Sequence, residues 1–189
     1  MPEERDKRRV AVLISGRGSN MRALVEQANG YEVPLVASNK PQAVGLAWAG
    51  DRAIPTWTLD SRGVERDVWE AALEQALAEH RIGTIALAGF MRILSPEFTR
   101  RWRGRILNIH PSLLPKYRGL DTHRRAIEAG DAVSGCSVHL VTEELDSGDV
   151  LGQAEVPILP GDTESALESR VLEAEHRLYP KTLAEFVAR

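Results

Sequence analysis

Short apolar runs alternate with longer amphipathic stretches along this chain, and that alternation limits its fold more than any other feature. Residues 10–14 (VAVLI) read as a buried strand, followed by the turn SGRGSN at 15–20 and an amphipathic helix to about residue 28. Residues 33–37 are a second strand candidate, 43–51 a second helix and 55–59 a short further strand. In 66–79 (RDVWEAALEQALAE), apolar residues at Val68, Ala71, Ala72, Leu73, Ala76 and Leu77 follow a helical period. Strands are next expected at 84–87 and 105–109; between them Ser95 caps a short helix with Pro96 at its first position. The pattern then changes. Two β-rich runs, 135–141 and 150–156, flank a turn-rich connection at 142–149 suited to joining an antiparallel pair. A last helix runs from about 163 to 187, with Asp162 or Thr163 as N-cap and Leu167, Val171, Ala174 and Leu178 down one face.

Strand–helix alternation in the first half implies right-handed βαβ units. The expected class is α/β: a mostly parallel twisted sheet with helices on both faces, and antiparallel strands added in the C-terminal half. No repeat, low-complexity stretch or linker divides the chain, so residues 1–189 are expected to form a single domain. With 43% hydrophobic residues, such a chain holds together without disulfides or a structural metal. A net charge of −3 gives no broad basic face, which argues against nucleic acid or an anionic membrane as partner. The opening MPEERDKRRV lacks the apolar stretch of a signal peptide, and the apolar runs at 10–14 and 85–90 are too short to span a bilayer. A lone Cys136 excludes an intramolecular disulfide and a thiolate metal cluster. A cytoplasmic location is expected.

Three segments carry candidate chemistry. In SGRGSN, a Gly-rich turn entering a helix offers backbone N–H groups and the positive helix end to an anion. Met21 stands where a dinucleotide fingerprint wants a third glycine, so one phosphate suits the turn better than a pyrophosphate; a tight turn without ligand is the alternative. In LNIHPSLLP, Asn108 and His110 alternate on a strand and share one face at its carboxyl end, where open α/β sheets bind ligands. An amide can donate to a developing oxyanion, and an imidazole can move a proton near neutral pH. Asp146, between the two late β runs, is the carboxylate best placed to reach them; a solvated acidic turn explains the same cluster. His123 can line the site, whereas His80, His139 and His176 are weaker candidates, and no histidine spacing suits a metal.

Together these residues closely resemble the phosphoribosylglycinamide formyltransferase family, folate-dependent enzymes of purine synthesis. The matching stretches are LISGRGSN (13–20), ASNK (37–40), LAGFMRILSP (87–96), LNIHPSLLPKYRG (107–119), SVHLVTEELDSG (137–148) and AEHRLYP (174–180), in order over nearly the whole chain. The resemblance implies a Rossmann-like formyltransferase fold with Asn108, His110 and Asp146 as catalytic residues. It implies that Gly18, Ser19 and Asn20 hold the phosphate of glycinamide ribonucleotide, and that Glu175 binds its ribose hydroxyls. For the formyl donor 10-formyltetrahydrofolate it points to Arg66, Met91, Arg92, Ile93, Leu94, Asn108, Val141, Glu143 and Asp146. No metal is implied, and the chain is compatible with a monomer or a homodimer. Leu172 departs from the pattern, standing where relatives often carry a polar residue that reaches the nucleotide; a C-terminal extension seen in some relatives is not expected here.

The implied chemistry is direct transfer through a tetrahedral intermediate, with Asp146 keeping His110 charged. Formylation of methionyl-tRNA would call for a basic RNA-binding extension. Hydrolysis of formyltetrahydrofolate has no use for a phosphate turn, and a non-catalytic sensor leaves Asn108, His110 and Asp146 unexplained.

Overall fold

The structure, a computed structural model, describes residues 5–189; the first four residues of MPEERDKRRV lie outside the described residues. The elements run β1 (Arg9–Ile14), α1 (Ser19–Glu26), β2 (Glu32–Ser38), α2 (Val44–Gly50), β3 (Thr56–Thr58), α3 (Arg66–Glu79) and β4 (Thr84–Leu87). They continue α4 (Pro96–Arg101), β5 (Ile106–His110), α5 (Thr122–Glu128), β6 (Val133–Leu140), β7 (Val150–Pro157) and α6 (Glu164–Val187). One seven-stranded sheet has the order β3-β2-β1-β4-β5-β6-β7. Strands β1 to β5 pair in parallel, and β6 and β7 are added antiparallel. Chain direction across the sheet reverses between β1 and β4, so the crevice past their carboxyl ends is open to a ligand.

Alternate residues of β1 feed the two faces of the sheet. Val10, Val12 and Ile14 pack with Met21, Leu24, Leu167, Val171 and Tyr179 on one side. Ala11 and Leu13 pack with Trp69, Leu73, Leu77, Phe98 and Trp102 on the other. Burial on both faces is why residues 10–14 of β1 and 85–87 of β4 are continuously apolar rather than alternating. Cys136 of β6 is fully buried, and that burial pushes its thiol up to about 12.

One expectation needs correction. On α3 the inward stripe is Trp69, Leu73, Ala76 and Leu77, at spacings of four, seven and eight, while Ala71 faces solvent and Val68 is 57% exposed. The indole of Trp69 takes the core position and rotates Val68 outward. Helix α5 leaves no periodic trace in the sequence: it opens from Asp121 in the left-handed region at φ 57 and buries only Thr122 and Ala126. Ser95 does cap α4, accepting the Phe98 N–H, and Thr163 caps α6.

Helix α6 is tied to the sheet by Tyr179, whose fully buried hydroxyl lies 3.0 Å from the Leu87 carbonyl and 3.2 Å from that of Leu107. Tyr179→Phe strands these acceptors, and chemical denaturation should show a loss of about 1–2 kcal/mol with an unchanged m-value. A loss below about 0.3 kcal/mol would mean that the hydroxyl is not what fastens α6.

Candidate active site

The end of β5 sets the first two groups. Asn108 and His110 share a face, and antiparallel pairing with β6 puts Asn108 opposite His139 and His110 opposite Ser137. The connection from β6 to β7 then turns back over them. Gly148 lets it do so, because a Cβ there would stand 1.8 Å from the Leu140 carbonyl oxygen. Asp146 itself is held at φ 49, a conformation L side chains rarely take, and its side chain is only 7% exposed. One carboxylate oxygen, Oδ2, accepts the Gly119 N–H at 2.9 Å and lies 3.5 Å from His110 Nδ1. The other, Oδ1, lies 3.6 Å from His139 Nε2.

The two histidines meet different sets of neighbours. His110 Nε2 donates to the Tyr117 carbonyl at 2.8 Å while Nδ1 faces the Asp146 carboxylate, so both ring nitrogens meet acceptors. His139 Nδ1 donates to the Leu140 carbonyl at 2.9 Å, leaving Nε2 to accept from Asn108 Nδ2 at 3.3 Å. Burial lowers the His139 pKa against the opposing effects of the Leu140 carbonyl and Asp146, which favours the neutral ring that this hydrogen bonding uses. Neutral His139 thereby aims the Asn108 amide and leaves its second N–H for a ligand. Along the chain His139 alternates with apolar neighbours like a core residue; its partner lies 31 residues away, and only the strand register joins them.

The Gly-rich turn leads out of β1. Gly18 takes φ 73 as the N-cap of α1, and no side chain caps this helix, so its first N–H groups remain free for an anion. A Cβ on Gly18 would meet the Met21 side chain at 2.7 Å and the Gly45 backbone at 3.3 Å. Ser19 begins the helix, and buried Asn20 donates through Nδ2 to Glu175 at 2.7 Å. Burial pushes the Glu175 carboxyl up to about 7, only partly offset by Asn20. Leu172, one turn earlier on α6, is half-buried.

The residues assigned to folate fall into two groups. Met91 and Ile93 stand out from the surface at 67% and 68% exposure, Val141 is half-buried, and Arg66 is exposed at the start of α3. Arg92 and Leu94 point inward: the Arg92 guanidinium donates to the Ser61 and Val64 carbonyls, and Leu94 joins the core around Trp69. Glu143 pairs with Arg100 at 2.9 Å. His123 on α5 feels Glu164 and Glu168 of α6, and burial lowers its pKa despite them.

A family model described as Formyl transferase matches residues 8–183. Phosphoribosylglycinamide formyltransferase of Escherichia coli (strain K12) is 44% identical over 182 residues, covering 94% of this chain and 86% of that protein. The trifunctional purine biosynthetic protein adenosine-3 of Drosophila melanogaster is 48% identical over 96% of this chain. The chain spans only 13–18% of the length of the trifunctional relatives it matches. The crystal structure of phosphoribosylglycinamide formyltransferase from Brucella melitensis superimposes with a TM-score of 0.91 at 48% identity, covering 96% of each chain. These matches, together with the order of the strands, show that the chain belongs to the formyl transferase family.

Proposed function

We propose that this protein transfers the formyl group of 10-formyltetrahydrofolate to the primary amine of 5-phosphoribosylglycinamide, giving formylglycinamide ribonucleotide and tetrahydrofolate in purine synthesis. The observation that carries this reading is the convergence of Asn108, His110 and Asp146 at the end of β5. The uncapped α1 turn and Glu175 supply the matching ribonucleotide subsite: N–H groups for its phosphate and a carboxylate for its ribose hydroxyls. Exposed Met91 and Ile93, with Val141, offer apolar contacts for the pterin.

In this mechanism the amine nitrogen attacks the formyl carbon, and the carbonyl electron pair moves onto oxygen. The second Asn108 N–H and the His110 Nε2–H donate to that oxyanion, which requires Nε2 to exchange the Tyr117 carbonyl for the substrate. Asp146 faces Nδ1 and holds the ring in place. Collapse breaks the bond to the folate nitrogen, which takes up a proton as the attacking nitrogen gives one up. Holding both substrates side by side contributes further rate enhancement.

Release of tetrahydrofolate from the two named substrates is the primary assay; release with water alone in place of the ribonucleotide would replace the transferase reading with a hydrolase. Asn108→Ala should lower kcat on the order of 10²–10³-fold with both KM values little changed, as expected for a donor acting mainly in the transition state. The losses in His110→Ala and Asp146→Asn should be strongly non-additive when combined; full additivity would break up the proposed pair. Gly18→Val should raise the ribonucleotide KM by an order of magnitude or more while sparing folate affinity, since the added side chain meets Met21 and Gly45.

Glu175 makes the ribonucleotide subsite pH-dependent. With its carboxyl at about 7, it is mostly protonated at pH 6, so ribonucleotide affinity should fall below neutrality, and Glu175→Gln should abolish that limb. Stability carries the opposite sign. The raised pKa favours the folded state below the ordinary value of 4.5, and the advantage is lost as pH rises through about 7. Each pKa unit is worth about 1.4 kcal/mol, so the ionised side chain costs on the order of 3 kcal/mol above neutrality. Thermal melts of ligand-free Glu175→Gln should therefore gain on wild type between pH 5 and 8; parallel melting curves would refute the assignment.

A further inference from the structure

We propose that Glu70, on α3 and away from the reacting groups, is a positioning residue that sets residues 91–95 in the shape that receives the folate; this rests on the function proposed above. Glu70 is 2% exposed. A carboxylate buried that deeply is costly unless donors satisfy it, and here both donors come from one residue. The Ser95 backbone N–H donates to Glu70 Oε1 at 2.7 Å, and the Ser95 hydroxyl donates to Oε2 at 2.5 Å. Neither bond serves α3. Both fix the residue that ends the 91–95 segment and caps α4.

The other end of the segment is fastened in the same manner. The Met91 N–H donates to Ser15 Oγ at 2.8 Å, and Ser15 Oγ donates to Asn39 Oδ1 at 2.6 Å inside the protein. Between the two ends, the Arg92 guanidinium lies 5.4 Å from the centre of the Trp69 ring and donates to the carbonyls of Ser61 and Val64. Residues 91–94 have no helix or strand to hold their shape, so these three anchors do it. With Arg92 and Leu94 drawn inward, Met91 and Ile93 are left facing out. Of the two end anchors, Ser15 also begins the phosphate turn and serves both substrate subsites. Glu70 serves the folate segment alone, so its loss should be felt by one substrate.

Steady-state kinetics of the full chain, varying each substrate in turn, test this. Glu70→Asp keeps the charge but is shorter by one methylene and cannot reach both Ser95 donors. It should raise the KM for 10-formyltetrahydrofolate about tenfold, with the ribonucleotide KM and kcat within about threefold of wild type. Glu70→Gln still accepts the Ser95 N–H and can donate to its hydroxyl, so it should restore most of the affinity. Ser95→Ala, which keeps only the N–H bond, should raise the same constant by less. Calorimetric affinity for tetrahydrofolate should rank the variants identically without turnover. A wild-type protein that binds tetrahydrofolate in that order yet transfers no formyl group would overturn the proposed function and leave this role standing. An unchanged folate KM in Glu70→Asp, an equal rise in both KM values, or a Glu70→Gln as impaired as Glu70→Asp would overturn the role of Glu70.

Discussion

Backbone hydrogen bonding between β5 and β6 underlies everything else at the site. Because side chains alternate along a strand, a slip of one residue in this pairing would turn Asn108 and His110 away from the groups that now complete them. The register sets Asn108 opposite His139, which fixes the direction of the amide, and sets His110 opposite small Ser137. Ser137 in turn bonds inward to the Ser112 carbonyl and accepts the Leu114 N–H, so the chain leaving His110 is gathered onto the same strand. Asp146 arrives last, from the connection that follows β6, and depends on the earlier pairing for its partners.

Buried carboxylates are handled in two ways in this fold, and the difference follows from the donors supplied. Glu70 meets two donors from Ser95, each on its own oxygen. Glu175 meets one, the Asn20 amide, and burial pushes it up to about 7. A carboxylate left short of donors gains from any group that brings them, as the proposed pair of ribose hydroxyls would. The same contrast separates the proposed anchor, which is complete within the protein, from the proposed binding group, which is not.

Elements whose evidence is local were legible in the sequence. Helix α3 begins and ends where the 66–79 pattern places it, β4 occupies the expected 84–87, and Ser95 and Thr163 cap the helices that follow them. Asn108 and His110 were readable as a pair because alternation on one strand is a property of neighbours. What stayed hidden depends on pairing at a distance. His139 reads as one more inward side chain until β6 is laid against β5, and nothing along α3 marks Glu70 until Ser95 is brought to it. Val68 misled for a related reason: a period allows several faces, and the bulk of Trp69 selects one. Helix α5 carries too few buried residues to leave a trace.

Placement of Cys136 in the middle of β6 gives the chain an internal gauge of its own unfolding. Its thiolate, the form that reacts with alkylating agents, is scarce while the sulfur is fully buried and its pKa lies near 12. A modifying reagent can reach it only when the sheet opens around β6, the strand that also carries His139. The rate of that modification therefore counts openings of the strand on which Asn108 relies, and a ligand that closes the cleft would slow it with no label or engineered residue required.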